Sequence, residues 1–425
     1  MREMGPRSIP SVFRATGTVL IGNLAGSLMG FGVTLLAIRR LLPVDFGLLS
    51  LAIAVIGLLS QGMELGLTTG FVKFASQYLR EQKERASLIL LVAFKSRLIS
   101  GLLVLASGCL LADGIGELFF RREGLGTLLR LSFIGGFGLL LFGFSQGVLQ
   151  ARQWFGRYSI QAILPNLLRL AALITLILIG QMSLTNILLA YILAPLACFA
   201  FSWLIIPTDF LRAKGDQRGV FWEIFHFSKW VTLSNIATMV ILRLDVFMLT
   251  SMKPSEEVAF YVGANQLAYI FPILTGSITQ ALLPRATSLS SPEEIQSYVR
   301  GGLKLIPWAV LIFLPLVFLA GPMVELLYGD LYASSIPIFR LLIMAFMISV
   351  VINPLSLLIY TMNRAELLTL LNWVQLILNF GMNLWLIPTY GALGAAVSSL
   401  AIRALAAVYI GYIVRKMVLL ERRAS

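Results

Sequence analysis

Charge is scarce in this chain of 425 residues: 12% are Asp, Glu, Lys or Arg, against 58% hydrophobic, and the mean hydropathy is +0.88. A soluble domain carries about a quarter charged residues. A soluble fold of this length lacks the polar side chains to coat itself, whereas lipid can face apolar side chains directly. Cysteine is nearly absent: Cys109 and Cys198 both sit in apolar runs, which argues against a disulfide framework and reads as small core residues. The single histidine, His226, lies in a polar connector, which argues against a histidine-based metal site. No GxxxxGK[ST] phosphate loop occurs, and nothing suggests ATP hydrolysis.

What the chain does have is long apolar runs. A span needs about 20 mostly apolar residues. Twelve candidates follow, at 15–38, 47–71, 87–111, 127–150, 159–180, 185–207, 229–251, 258–283, 301–321, 336–360, 367–387 and 391–414. The first run is too long for a signal-peptide core and has no convincing cleavage site, so it reads as a retained span. The predicted fold class is an all-α integral membrane protein.

Basic residues test that count. Twelve spans put both termini on one side, and that side should carry the Lys and Arg. It holds 23 of them, including Arg2, Arg7, Arg14, Lys73, Arg85, Arg97, Arg152, Arg157, Arg218, Arg285, Arg364 and Arg415, while the opposite connectors hold six: Arg39, Arg40, Arg121, Arg122, Arg130 and Lys253. Both termini are expected to be cytoplasmic. The formal charge of +13 is then a topology signal and not a nucleic-acid footprint.

A pattern recurs at half-length. Pro43 and Asp45 lead into the second span as Pro254 and Glu256 lead into the eighth, and Pro165-Asn166-Leu167-Leu168-Arg169 resembles Leu371-Asn372-Trp373-Val374-Gln375. This predicts two six-helix halves in the same orientation, 1–207 and 229–425, joined by a cytoplasmic linker at 208–228.

Charge within hydrocarbon costs at least ~2.5 kcal/mol, so each instance needs a reason. Arg169, Arg243 and Arg403 lie within spans, with Asp245, Glu64 and Arg340. The three arginines either face a water-filled cavity that attracts an anion, or pair with Asp245, Glu64 or carbonyl groups and fix packing. The cations outnumber plausible partners, which favours the cavity. Arg243 and Asp245 are two apart and point to nearly opposite faces. Asn372, Gln375, Asn379 and Asn383 fall at spacings of 3, 4 and 4 and form one stripe, which either lines a cavity or bonds to neighbouring helices. Asn166 and Arg169 hold the matching place in the first half. Gly22, Gly26 and Gly30, and Gly143 and Gly147, read as close helix contacts. Pro165, Pro195, Pro272, Pro315 and Pro354 are candidate kinks.

Several connectors carry a family likeness: Arg40-Leu41-Leu42-Pro43-Val44-Asp45-Phe46-Gly47, Glu64-Leu65-Gly66-Leu67, Arg243-Leu244-Asp245, Leu327-Tyr328-Gly329-Asp330 and Ile387-Pro388-Thr389-Tyr390-Gly391-Ala392. In their order and placement the chain resembles the multidrug/oligosaccharidyl-lipid/polysaccharide (MOP) exporter superfamily, and within it the polysaccharide transporters, including Wzx-type O-antigen flippases. The resemblance implies two six-helix bundles around a central cavity in the bacterial inner membrane. It implies alternating-access export of an undecaprenyl-diphosphate-linked oligosaccharide, with membrane lipids and polysaccharide polymerase or ligase machinery as partners. It implies no cofactor beyond H+ or Na+ coupling, for which Asp245 and Glu64 are the acids to test. The competing expectations are a drug or metabolite antiporter of the same superfamily, a membrane glycosyltransferase or polymerase, and a scaffold subunit. Buried arginines argue against a cationic-drug exporter. The longest outer connector, 112–126, is too short for a catalytic domain.

Overall fold

The computed structural model describes residues 9–64, 66–272, 275–276, 279, 282, 292–361 and 365–424. Leu65, Arg2, Arg7, Arg285, Arg364 and part of the expected eighth span lie outside them. Nearly every described residue is helical, and no strand occurs among them. The contacts group into two compact units, residues 1–41 with 51–239 and residues 42–50 with 240–425.

The first unit contains α1 (Ile9–Arg40), most of α2 (Pro43–Glu64), α3 (Leu67–Glu81), α4 (Lys83–Leu118), α5 (Gly126–Ala151), α6 (Phe155–Leu178), α7 (Leu184–Ser202) and the start of α8 (Gln217–Met252). The second contains the rest of α8, α9 (Ser255–Ala268), α10 (Pro292–Leu303), α11 (Leu305–Tyr328), α12 (Ser335–Ser356), α13 (Ala365–Tyr390) and α14 (Ala392–Ala424).

Among the described residues nine helices are long and apolar enough to cross a bilayer. Helices also run through the other expected spans: α1 covers 15–38, α8 covers 229–251, and α9 opens 258–283. Twelve spans are consistent with this arrangement. Large apolar side chains face outward throughout, Leu110, Leu178 and Leu204 each being more than 80% exposed. Water would penalise that surface, and lipid does not.

Local chemistry explains where helices stop. The second expected span, 47–71, ends early, at Glu64. Gly66 takes φ +63, a left-handed conformation that glycine adopts at no steric cost, and α3 starts afresh beyond it. The α3 face formed by Leu67, Phe71 and Ala75 is buried against Phe144 and Val148 of α5. Ser183 caps α7, its hydroxyl accepting from Asn186 N at 3.2 Å. The 208–228 segment holds a short turn, Asp209–Arg212, and the first three turns of α8.

The glycine stripe of α1 is a close-contact face. A Cβ on Gly22 would meet Ser159 at 2.7 Å and one on Gly26 would meet the Ala162 carbonyl at 3.3 Å, so α1 rests almost backbone to backbone on α6. On α5, Gly147 admits the Phe71 ring, whereas Gly143 faces open space and carries no such contact.

Candidate functional site

A cluster of polar side chains from four helices gathers in the second unit. Asp245, half-buried on α8, accepts hydrogen bonds from Tyr261 of α9, from Asn383 Nδ2 of α13 at 2.7 Å and from Ser399 of α14 at 3.3 Å. Asn383 also donates to Asn379 Oδ1 at 2.8 Å. Asn383 is 0% exposed, and its Oδ1 has no partner among the described residues. Arg403, one turn beyond Ser399 on α14, donates to Ser349 Oγ of α12 at 2.8 Å and stacks 4.4 Å from the Phe346 ring centroid. It lies within electrostatic reach of Asp245 without forming an ion pair.

Four helices therefore supply one carboxylate, two amides, two hydroxyls and a guanidinium, each from a helical position that faces the unit's interior. The i, i+4 pairs 379/383 and 399/403 put both members of each pair on one face. Neutral donors satisfy the carboxylate, and Asn383 Oδ1 and Asp245 Oδ1 and Oδ2 are oxygen atoms suited to a hard cation or a proton.

The first unit holds a sparser counterpart. Asn166 of α6 donates to the Gly26 carbonyl at 2.8 Å, and its amide lies against Gly30 of the same α1 face. Its Oδ1 accepts from Arg169 at 3.0 Å. The Arg169 guanidinium lies 4.5 Å from the Tyr191 ring centroid on α7, and its Nε is buried with no partner among the described residues. Among the described residues no carboxylate pairs with it. Arg243 likewise makes no ion pair or hydrogen bond among the described residues, and its electrostatic neighbour is Tyr269.

The remaining sequence candidates fall elsewhere. Glu64, at the end of α2, stands 3.8 Å from the Arg97 guanidinium of α4. Gln375 lines an apolar cleft with Leu371, Val374 and Tyr409, and Asn372 is half-buried one turn away from it. The stripe on α13 thus divides, its 379/383 half entering the Asp245 cluster.

Sequence reasoning missed Tyr261, Ser399, Ser349 and Tyr191, since a single hydroxyl in an apolar run carries no signal until its partners are known. It also placed Arg97 in a basic connector. The structure corrects this: Arg97 is mid-helix in α4 and 1% exposed, held by Thr68 and Glu64 and lying over the Phe71 and Phe144 rings. The apolar residues on both sides of it were the available clue.

A chain that is nearly all helical among its described residues, with nine of those helices long and apolar enough to cross a bilayer, is a multi-pass membrane protein. Residues 12–290 match the family described as polysaccharide biosynthesis protein, and the chain belongs to that family. A protein of Shigella flexneri provisionally assigned as an O-antigen transporter is 24% identical over 409 residues, 89% of this chain and 94% of its own. Among solved structures, an inward-facing MATE multidrug resistance transporter of the MOP superfamily superposes with TM-score 0.74 at 16% identity, over 96% of this chain and 99% of that one. The lipid II flippase MurJ in an inward closed conformation gives TM-score 0.74 at 12% identity, over 95% and 87%. The fold is that of MOP-superfamily transporters.

Proposed function

We propose that this protein flips an undecaprenyl-diphosphate-linked oligosaccharide, an O-antigen or other surface polysaccharide unit, across the bacterial inner membrane by alternating access. The observation that carries the proposal is the pair of unneutralised guanidiniums at span depth, Arg169 and Arg243, which have no carboxylate partner among the described residues. Cations at that depth are retained for anionic cargo or as counter-ions to acids. A guanidinium offers paired N–H donors that match diphosphate oxygens. The S. flexneri relative, assigned to O-antigen transport, and the lipid II flippase support a lipid-linked sugar as cargo.

In this reading Asp245 binds the coupling H+ or Na+, and Arg403 holds the neighbouring positive charge on Ser349 and Phe346. Both termini face the cytoplasm, and a polysaccharide polymerase or ligase system consumes the flipped product on the opposite face of the membrane. The test is surface polysaccharide in cells carrying Arg169→Ala or Arg243→Ala. Each substitution should lower it at least tenfold while the protein still reaches the membrane. Normal polysaccharide with both variants overturns the anion reading.

A further inference from the structure

The corner between α5 and α6 carries a second charged site that the transport reading does not use. Trp154 stands between two cations: the Arg157 guanidinium is 4.4 Å from its ring centroid and the Arg152 guanidinium 5.4 Å. The two are not equivalent. Arg152, at the end of α5, is half-buried, and burial lowers its pKa while the nearby Asp209 carboxylate pushes it back up. Asp209 lies within its electrostatic reach without forming an ion pair among the described residues. Arg157 is exposed, and among the described residues no carboxylate pairs with it.

One turn further along α6, on the same face, Gln161 is 95% buried. Its Nε2 donates to Ser145 Oγ and Ser202 Oγ, both at 2.5 Å, and its Oε1 has no partner among the described residues. Arg157, Ile160, Gln161 and Leu164 follow the i, i+3, i+4, i+7 spacing of one helical stripe, and with Leu149 and Phe201 they line a single cavity. The arrangement has a direction: a cation at the mouth, an unmet acceptor a turn inside, and an apolar floor. Packing alone accounts for an arginine stacked on tryptophan. It does not account for an acceptor left empty beside a lined cavity.

We propose that this cavity is a binding site for an anionic phospholipid with a hydroxylated headgroup. Its phosphate meets Arg157, a headgroup hydroxyl donates to Gln161 Oε1, and an acyl chain lies along Ile160, Leu164 and Phe201. Charge complementarity selects this occupant, since a basic end of a membrane helix bundle is where anionic headgroups concentrate. The site does not depend on what the protein transports.

The test is native mass spectrometry of the full chain released from nanodiscs of phosphatidylcholine containing a minor fraction of either phosphatidylglycerol or phosphatidic acid. The wild type should retain phosphatidylglycerol over phosphatidylcholine, and over phosphatidic acid, which lacks the headgroup hydroxyls. Arg157→Ala should lower that retention roughly fivefold, the worth of one interfacial cation. Ile160→Trp, at a position 65% exposed and so compatible with folding, should lower it by filling the groove. Arg415→Ala, on the exposed end of α14, should leave it unchanged. Retention that is equal in wild type and Arg157→Ala, or that falls as far with Arg415→Ala, overturns the proposal. So does equal retention of phosphatidic acid.

Discussion

Asp245 places a carboxyl group at membrane depth, and what surrounds it limits its role. Its two oxygens are met by a phenol, an amide and a hydroxyl, all neutral, while the nearest guanidinium, Arg403, spends its hydrogen bond on Ser349. A structural ion pair would place the arginine on the carboxylate. Here the carboxyl group is hydrogen-bonded by neutral partners and has no ion pair among the described residues, which leaves room for an ion that comes and goes. If Na+ binds here, a saturating excess should stabilise the folded protein: RT ln(1 + [L]/Kd) gives about 2.7 kcal/mol at a hundredfold excess over Kd. Thermal unfolding in NaCl against KCl should show that rise for the wild type and none for Asp245→Asn. If H+ binds instead, the salts behave alike and Asp245→Asn removes the pH dependence of transport. A variant that keeps both the sodium response and the pH response removes Asp245 from coupling. Asn383 supplies the shortest neutral donor to Asp245 other than Tyr261, and Asn383→Ala should cost about 1–3 kcal/mol by leaving Asp245 short of a buried partner.

The helices themselves were legible from apolar run length, because a span has to satisfy its backbone internally and be about 20 residues long. What joins them was not, since the joining contacts link residues far apart in sequence. Two connectors that looked like separate motifs turn out to clasp each other. Glu257, in the first turn of α9, accepts from Ala392 N at 2.8 Å, and Lys253 donates to the Pro388 carbonyl at 2.8 Å, so the Lys253–Glu257 turn holds both sides of the bend at Gly391, whose φ is +58. A carboxylate on the first amides of α14 also complements that helix's dipole. Glu257→Gln should lower stability by about 0.5–1 kcal/mol, read as a fall in Tm in detergent. The α2 entry is tighter still. A Cβ on Gly47 would lie 1.9 Å from the Ser255 carbonyl oxygen, and backbone cannot yield as a side-chain end can. Gly47→Ala should therefore cost about 1–3 kcal/mol, more than Glu257→Gln, although it adds only a methyl group. Equal Tm values for Gly47→Ala and wild type would mean the α2 and α9 entry turns are not packed as the structure has them.

For the molecule as a whole, the one-dimensional record of charge carries what no contact map can: which face is which. Basic side chains in the connectors and at the span ends divide 23 to six between the two sides, and moving Arg97 into the interior, where α4 places it, leaves 22 to six. The bias acts through short connectors near span ends, and nearly all of these connectors are short. The polar content of the site was legible in part for the same reason, since charges and amides stand out against an apolar background. Their pairing was not, because Asp245, Asn383 and Ser399 are 138 and 154 positions apart and only folding makes them neighbours. Orientation can be tested without any knowledge of cargo. A green fluorescent protein fused after Ser425 should fluoresce, and alkaline phosphatase fused at 116, in the connector with few basic residues, should be active, while the same enzyme fused at 214, among Arg212, Lys214 and Arg218, should be silent. Activity at 214 with silence at 116 would invert the protein in the membrane. Arg152 and Arg157 would then lie on the face away from the cytoplasmic lipids.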